Sequence, residues 1–355
     1  MESNIYAEYS KIIADSEKWF RFARRDFKEQ LNIDTLFEST NSENFVKQMF
    51  FHENLVSIIP KLKFPAKREL HTVSAFLLGI LLKDRLNLST RSLPDPCKDR
   101  KKSFIYFWSM ICLAHDLTFW IETNEEYLKN CVTIEDFCEE FNIKYRLIDK
   151  TKYANLFKNY YKYSIQKRKV VDHGITCGIL MYDQLMKQYE RNSNKQNVIT
   201  NDPWKYNKNF KDYALKISET IARHNLWVAS PQDEDTYREY DLYDLISNEQ
   251  QFKKVNYSEQ DSLLFLLGLV DTLEPIKCCT RNKTKYDAYE ILKNINVSWN
   301  SRSKNLSISS KYITSDILQS WNNLQQWLNL NVGIIDNTVK ITFEYESADN
   351  NQLVA

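Results

Sequence analysis

Four of the five histidines of this chain and two of its aspartates stand at regular intervals in apolar stretches. In order they are His71, the pair His115-Asp116, His173, His224 and Asp271. The intervals run from 44 to 58 residues, about one helix-turn-helix unit each, so we expect the side chains to converge from different helices. Imidazole and carboxylate suit divalent ions such as Mn, Fe, Co, Ni or Zn, and a mixed set with open positions is typical of a catalytic site.

The adjacent pair His115-Asp116 predicts a site for two ions. An aspartate beside a ligating histidine can bridge two ions, and paired ions about 3.5–4 Å apart clamp the attacking and leaving oxygens in phosphoryl transfer. A lone histidine in an apolar helix is more often structural, so the interpretation rests on the joint pattern. Four of the five glycines lie within eight residues of a candidate ligand, namely Gly79, Gly174, Gly178 and Gly268.

Helices must position these residues. Apolar residues at helical spacing predict a helix that begins just after Pro65 and carries His71. The most hydrophobic stretch, 102–122, predicts a central helix with His115 and Asp116 near its carboxyl end. Asp172 is a plausible N-cap for the helix that carries His173, in which Gly174 and Gly178 would let another helix approach closely. Two further apolar helices, 212–230 and 260–277, carry His224 and Asp271.

The composition favours a mostly α fold with a sizeable core. Of 355 residues, 43% are hydrophobic, whereas glycine and proline number only 5 and 7. The seven cysteines are odd in number and form no C-x-x-C, which predicts buried free thiols in a reducing compartment. The amino terminus lacks the pattern of a signal peptide, and the apolar runs 74–82 and 262–270 are half the length of a membrane span. We therefore expect a cytoplasmic protein without a membrane partner.

Changes in the pattern of apolar and polar residues along the chain predict three regions. Residues 1–64 are predicted to be N-terminal helices packed on the core, and residues 65–290 a metal-binding helical domain. Residues 291–355 are predicted to be a small α+β appendage. Within it, 294–312 alternates like a hairpin, 315–330 is an amphipathic helix and 337–346 alternates like a strand.

The chain resembles the HD-domain metal-dependent phosphohydrolases over roughly residues 65–280. The segments that carry the resemblance are LHTVSAFLLG, LAHDL, VVDHGITCGILMYDQL, ETIARHNLW and LLGLVDTLEPIK. Members with the order H…HD…H…H…D, which include cyclic-dinucleotide phosphodiesterases and nuclease domains of CRISPR effectors, form an HD-type helical bundle around two metals. The resemblance implies that His71, His115, Asp116 and Asp271 hold a first ion, and that His173, His224 and the bridging Asp116 hold a second.

Two positions depart from that family's pattern. The usual HD-[IL]-G-K continuation is HDLTFW here, so Thr118 replaces a glycine and Phe119 replaces a lysine that often meets phosphate. Arg223 precedes His224 where many members have a second histidine, which would weaken or remove the second ion. Basic residues beside the ligands could replace the lysine, and we predict catalytic roles for Asp116, Arg223 and Lys277. The other basic candidates are Lys67, Arg68, Lys167, Arg168, Lys169, Arg281, Lys283 and Lys285.

The predicted function is a phosphohydrolase with one or two divalent ions (Mn, Fe, Ni, Co, Zn or Mg), in which metal-bound water attacks a phosphoester or phosphoanhydride. The predicted partner is a phosphate-containing small molecule, a nucleotide or cyclic nucleotide above all, and a homodimer is compatible with the sequence. A nuclease acting on DNA or RNA is the alternative, although a net charge of +1 offers no positive track. A metal- or nucleotide-binding sensor without turnover is the alternative of another class. Trp120 and Trp227 could stack a base, but such residues more often belong to a core.

Overall fold

The computed structural model is mostly helical, with one small antiparallel sheet. It describes residues 3–15, 32–52, 63, 68–86, 100–193, 209–256, 261–276, 288–300, 305–310, 315–335 and 338–343. The prediction of a mostly α protein with strands near the carboxyl terminus is therefore confirmed.

The helices follow one another through the whole described chain. They are α1 (Ile5–Ala14), α2 (Ile33–Leu36), α3 (Ser39–His52), α4 (Arg68–Arg85), α5 (Arg100–Ala114), α6 (Glu125–Asn130), α7 (Ile134–Glu140), α8 (Ala154–Tyr163), α9 (His173–Ser193), α10 (Phe210–Arg223), α11 (Glu234–Glu239), α12 (Ser262–Leu273), α13 (Ala288–Lys293), α14 (Ser315–Asn322) and α15 (Leu324–Trp327). The strands are β1 (Ser3–Asn4), β2 (Ile295–Asn300), β3 (Asn305–Ser310), β4 (Leu330–Ile335) and β5 (Thr338–Phe343).

Five helices, α4, α5, α9, α10 and α12, form the centre of the molecule. Helix α4 packs against α5 and α12, and α10 packs against α9, α5 and α12. Trp108 of α5 is fully buried and its indole N–H donates to the carbonyl of Phe76 at 2.9 Å. A side chain at Gly79 would overlap the ring of Trp108, so the absence of a side chain there makes room for the indole between α4 and α5.

Helices α9 and α10 approach each other most closely at Gly178. A Cβ atom at this position would lie 2.6 Å from the backbone oxygen of Ser218 and 2.7 Å from the Cβ of Ala222. Asp172 caps the start of α9, because its carboxylate accepts the N–H of Ile175 at 2.9 Å. Both the predicted cap and the predicted close approach are confirmed.

One stretch, Ser103–Ile121, is long and apolar enough by length and composition to cross a membrane. The best window within it has a mean hydropathy of 1.4 and is 89% buried inside the molecule. This stretch is longer than the two apolar runs, 74–82 and 262–270, on which the expectation of no membrane span rests. Its first part packs as the central helix α5, and a buried core helix passes the same test of length and composition. The predicted helix 102–122 is wrong at its end, because α5 ends at Ala114 and His115 and Asp116 lie in the turn that follows.

The sheet has the strand order β1-β2-β3-β5-β4, with every neighbouring pair antiparallel. The predicted hairpin is confirmed by the pairing of β2 with β3, and the predicted strand after residue 337 is confirmed by β5. The predicted helix 315–330 is wrong at its end, because the chain leaves the helix at Trp327 and enters β4 at Leu330. Strand β4 pairs with β5 along its whole length, so a ladder of backbone hydrogen bonds replaces the last helical turn.

The N-terminal segment contacts the C-terminal appendage directly. Ser3 and Asn4 pair with Val297 and Asn296 at the edge of the sheet, and Asn4 also caps α1. The four cysteines in the described residues, Cys112, Cys131, Cys138 and Cys177, are buried and free, as predicted. The other three cysteines, at 97, 278 and 279, lie outside the described residues.

Candidate metal centre

The six predicted ligands converge from five places in the fold. His71 lies in the first turn of α4 and the pair His115-Asp116 directly follows α5, while His173 begins α9 and His224 directly follows α10. Asp271 lies in the last turn of α12. Their ligand atoms form two groups, each within 4.8 Å, which are His71, His115 and Asp271 in one and Asp116, His173 and His224 in the other.

The first group has the spacing of a metal site. The Oδ1 atom of Asp271 lies 3.2 Å from Nε2 of His71 and 3.4 Å from Nε2 of His115. The two Nε2 atoms are 3.3 Å apart. Nitrogen and oxygen ligands that stand about 2.0–2.2 Å from one ion are separated from each other by roughly 3–3.5 Å. One divalent ion could therefore contact all three atoms.

Asp116 lies between the two groups, with one oxygen toward each. Its Oδ2 atom is 3.5 Å from Nε2 of His71 and 3.6 Å from Nε2 of His115. Its Oδ1 atom is 3.4 Å from Nε2 of His173. This placement would let the carboxylate contact an ion in each group, the bridging role that the sequence predicts for this residue.

In each of the four candidate histidines Nδ1 has a partner on the side of the ring away from the centre, so Nε2 is turned toward the centre. Backbone carbonyls accept from Nδ1 of His115 and of His224, each at 2.6 Å, and fix the proton on that nitrogen. Carboxylates take the same place behind the other two rings: Glu274 lies 2.8 Å from Nδ1 of His71 and Glu122 lies 3.1 Å from Nδ1 of His173. Partners of this kind orient metal-binding imidazoles and leave the Nε2 lone pair for an ion.

The Nε2 atom of His224 is buried and has no hydrogen-bond partner among the described residues. Buried polar atoms are nearly always satisfied, so an orphaned nitrogen that faces a carboxylate and two other imidazoles needs an explanation. Burial, together with the neighbouring His173 and His115, lowers the pKa of His224 to about 3. The ring is therefore neutral and offers a lone pair, which fits a metal ligand.

Charge at the centre favours ionised carboxylates. Burial opposes ionisation of Asp116, but Arg68 and the surrounding imidazoles outweigh it and hold the pKa of this carboxyl well below its usual range. Burial by itself would lower the pKa of His173. The hydrogen bond to Glu122 and the negative charge of Glu122 outweigh burial and raise the pKa of His173. Because the pKa of His173 is raised, a proton competes with a cation for this imidazole, which makes binding at the second group dependent on pH.

Among the described basic residues, Arg68 forms an ion pair with a candidate ligand. Its Nη1 atom donates to Oδ2 of Asp116 at 2.9 Å, and its guanidinium lies 3.7 Å from the centre of the Phe119 ring. Phe119 also packs edge-on against the ring of His173. Phe119 thus supports an arginine from a neighbouring helix. Sequence reasoning placed Arg68 among the basic residues near the ligands but did not single it out.

Of the other two residues with predicted catalytic roles, Arg223 stands apart from the site. Arg223 donates to Asp261 at 3.0 Å and its guanidinium lies 4.4 Å from the centre of the Tyr153 ring. These contacts direct it to a cavity of about 370 Å³ that is lined by Lys152, Asp261 and other residues and by none of the six ligands. Lys277, Arg281, Lys283 and Lys285 lie outside the described residues, as does Lys67.

Thr118, two residues after Asp116, is hydrogen-bonded to the neighbouring helix α9. Its hydroxyl lies 2.7 Å from that of Thr176 and 3.1 Å from the carbonyl oxygen of His173, to which it donates. Its N–H donates to the sulfur of Cys177 at 3.1 Å. Thr118 therefore ties the turn after Asp116 to the first turns of α9.

The sequence did not identify Glu122 and Glu274, the two carboxylates behind the imidazoles. Glu274 had a detectable signal, because it lies three residues after Asp271 in the same apolar segment and immediately before Pro275. Glu122 ends the apolar stretch that follows Asp116, and only the folded structure brings it to His173.

Comparison with models of known protein families, with curated proteins and with solved structures finds no match for this chain. The resemblance to HD-domain phosphohydrolases therefore remains a prediction from the sequence segments that carry it. The buried groups of histidine and aspartate define a possible metal site by their own geometry.

Proposed function

We propose that this protein is a metal-dependent phosphohydrolase that acts on a phosphoester or phosphoanhydride of a nucleotide or cyclic nucleotide. The observation that carries the proposal is the convergence of three Nε2 atoms, those of His71, His115 and His173, on the two oxygens of Asp116, with a ligand atom of His224 within 4.8 Å. Two divalent ions held by four neutral imidazoles and two carboxylates would keep a net positive charge, lower the pKa of a bound water and stabilise charge on a phosphoryl group.

The chain's own residues support an anionic substrate. Arg68 lies beside the bridging carboxylate with 12% of its side chain exposed, so its guanidinium borders both the centre and the solvent. A guanidinium donates to phosphate oxygens in a bidentate manner, and the aromatic face of Phe119 limits its freedom. Asp271, with 16% of its side chain exposed, marks the more open side of the first group.

Metal content is the first test of the proposal. Purified protein is compared with Asp116→Ala and with His52→Gln, which changes the one histidine outside the pattern. We expect near-stoichiometric Mn, Fe, Ni or Zn in the wild type and in His52→Gln, and its loss from Asp116→Ala with helicity retained. Absence of metal from the wild type, together with no binding on addition, would overturn the proposal.

Turnover is the second test, and it separates an enzyme from a sensor. The metal-loaded wild type is supplied with nucleotides and cyclic dinucleotides in the presence of Mn, and released phosphate or mononucleotide is measured. We expect release that depends on metal and on Asp116. Stoichiometric metal with nucleotide binding but no release would instead identify a sensor, and competition by oligonucleotides against small nucleotides would favour a nuclease.

A further inference from the structure

Trp227 is an exposed aromatic residue close to the candidate metal centre. It follows His224 by three residues and is 39% exposed, which places it with Val132 and Tyr243 among the exposed large hydrophobic residues of the described chain. Single exposed hydrophobic residues are common and need no explanation. What distinguishes Trp227 is the way in which its backbone and its ring are held.

Hydrogen bonds fix Trp227 on three sides. Its backbone N–H donates to the hydroxyl of Tyr160 at 3.1 Å, and its carbonyl accepts from the hydroxyl of Tyr237 at 3.0 Å. Its indole N–H donates to Oδ1 of Asn225 at 3.0 Å. An exposed tryptophan on a loop is usually free to change rotamer, whereas this ring is held in one orientation.

The residue that holds the indole also touches a candidate metal ligand. Asn225 is buried, and its Nδ2 atom donates to Asp172 at 2.8 Å and lies 3.5 Å from Nδ1 of His173. Asn225 thus links the indole, through one hydrogen bond, to the immediate surroundings of an imidazole of the second group. The distance between ring and metal centre is set by the same buried network that caps α9.

The face of the Trp227 ring is available in a way that the face of Trp120 is not. Lys63 lies 4.0 Å from the centre of the Trp120 ring, and Tyr127 packs edge-on against it. The described part of the chain gives the Trp227 ring no aromatic or cationic neighbour of this kind. Arg168, which donates to the same Tyr160 hydroxyl at 3.2 Å, adds a positive charge nearby.

We propose that Trp227 stacks the base of a nucleotide whose phosphate group lies at the candidate metal centre. The inference rests on the proposed function and names its substrate class as base-bearing phosphates. Stacking on an exposed indole suits every base, because each has an aromatic face. The hydrogen bond to Asn225 keeps the ring in place before the ligand arrives, so little freedom is lost on binding.

Two non-hydrolysable probes test this with the Mn-loaded protein by calorimetry. One is adenosine 5′-(α,β-methylene)diphosphate, and the other is methylenediphosphonate, the same phosphonate chain without the nucleoside. For Trp227→Ala we expect the Kd of the nucleotide to rise roughly 5- to 100-fold, since stacking on one base has that worth. The Kd of methylenediphosphonate should stay unchanged, and Trp227→Phe should restore most of the nucleotide affinity.

Tyr243→Ala is the matched control, because Tyr243 is 37% exposed and is not connected to the candidate ligands. Its affinity for both probes should equal that of the wild type. Equal nucleotide affinity of Trp227→Ala and wild type would overturn the stacking role and leave the proposed phosphohydrolase intact. Failure of the wild type to bind either probe in the presence of Mn would overturn both.

Discussion

At the level of single residues, the candidate ligands are oriented by atoms that a metal would not use. Backbone carbonyls of Cys112 and Ile221 hold two of the imidazoles, and Glu122 and Glu274 hold the other two. The carbonyls come from the same turn as the histidines they hold, whereas the carboxylates come from distant parts of the chain. The carboxylates are therefore the partners that a substitution can remove without changing a ligand.

Replacement of Glu274 or Glu122 should weaken metal binding without removing a ligand. Glu274→Gln keeps the size of the side chain but loses the charge that faces His71, and Glu122→Gln does the same behind His173. We expect each to lower the affinity for Mn or Zn about 10- to 100-fold, the usual effect of losing such a partner. Calorimetric titration of the metal-free proteins measures this, and Glu126→Gln, in an exposed helix, is the control. Unchanged affinity in both variants would show that the imidazoles are oriented without these carboxylates.

The pKa of His224 predicts how stability of the metal-free protein depends on pH. An unfolded chain binds a proton at this histidine near pH 6.5, whereas the folded protein binds it only near pH 3. Between these values the unfolded state holds the extra proton, so the free energy of unfolding falls as the pH is lowered. We expect His224→Gln to remove up to about 1 kcal/mol per pH unit from that slope.

Urea unfolding between pH 6.5 and 4 in the presence of a chelator tests this expectation. The wild type and His224→Gln should have slopes that differ in that window and converge above it. His173, whose pKa is raised in the folded state, contributes with the opposite sign but above about pH 6.5, so the window below that value isolates His224. Parallel slopes would mean that His224 is protonated in the folded protein.

At the level of elements, the second group of ligands depends on how closely α9 and α10 pack. His173 begins α9 and His224 directly follows α10, so a change in the separation of these helices moves the two ligands apart. Gly178 lies in the contact, and the nearest atom to an added Cβ belongs to the backbone of Ser218. A backbone atom cannot rotate away as a side chain does, so the helices themselves would have to shift.

Gly178→Ala should therefore reduce both stability and metal binding. We expect the free energy of unfolding to fall by about 1–3 kcal/mol, the usual result of overpacking, despite the better helix propensity of alanine. Gly333→Ala is the control, since the nearest neighbour of an added Cβ there lies 3.9 Å away. Chemical denaturation measures the free energy of unfolding of both variants, and titration with metal measures their metal affinity. A Gly178→Ala protein as stable as the wild type would show that the helices can separate at no cost.

The sequence predicted the helices and the six ligands because their signals are local. Apolar residues at helical spacing and the cap at Asp172 act within a few turns, and they place each candidate ligand on a core helix or directly after one. Strand β4 was missed because Leu330–Ile335 follows an amphipathic helix without a break, and its state depends on pairing with β5. The supporting contacts of Arg68 were missed for the same reason, since they join residues distant in sequence.

At the level of the whole molecule, the appendage and the metal centre share one hydrophobic core. The ring of Trp327 packs against Gly268 of α12, where a Cβ atom would overlap it. The indole N–H of Trp321 donates to the carbonyl of Thr272 at 3.0 Å, directly after Asp271. The appendage therefore contacts the helix that carries Asp271, one of the candidate ligands. Through this contact it can position the candidate metal site.

Trp327→Ala should consequently weaken metal binding although the residue is far from the ligands in sequence. Loss of this buried ring leaves a cavity beside Gly268, and we expect the free energy of unfolding to fall by about 3–5 kcal/mol. Helix α12 would lose the surface that positions it, so the affinity of the first group should fall as well. Leu306→Ala is the control, because Leu306 is fully buried in β3 of the same appendage, where it pairs with Trp299 and Ile341 of the neighbouring strands.

Both variants are compared by denaturation and by titration with Mn at a temperature where each is folded. If Leu306→Ala lowers stability alone while Trp327→Ala lowers stability and metal affinity together, the effect passes through α12 rather than through general loosening. Equal metal affinity in Trp327→Ala and wild type would show that packing against α4 and α10 suffices to position Asp271. In that case the appendage would stabilise the fold without affecting metal affinity. The two variants distinguish an effect on the free energy of unfolding from an effect on metal affinity.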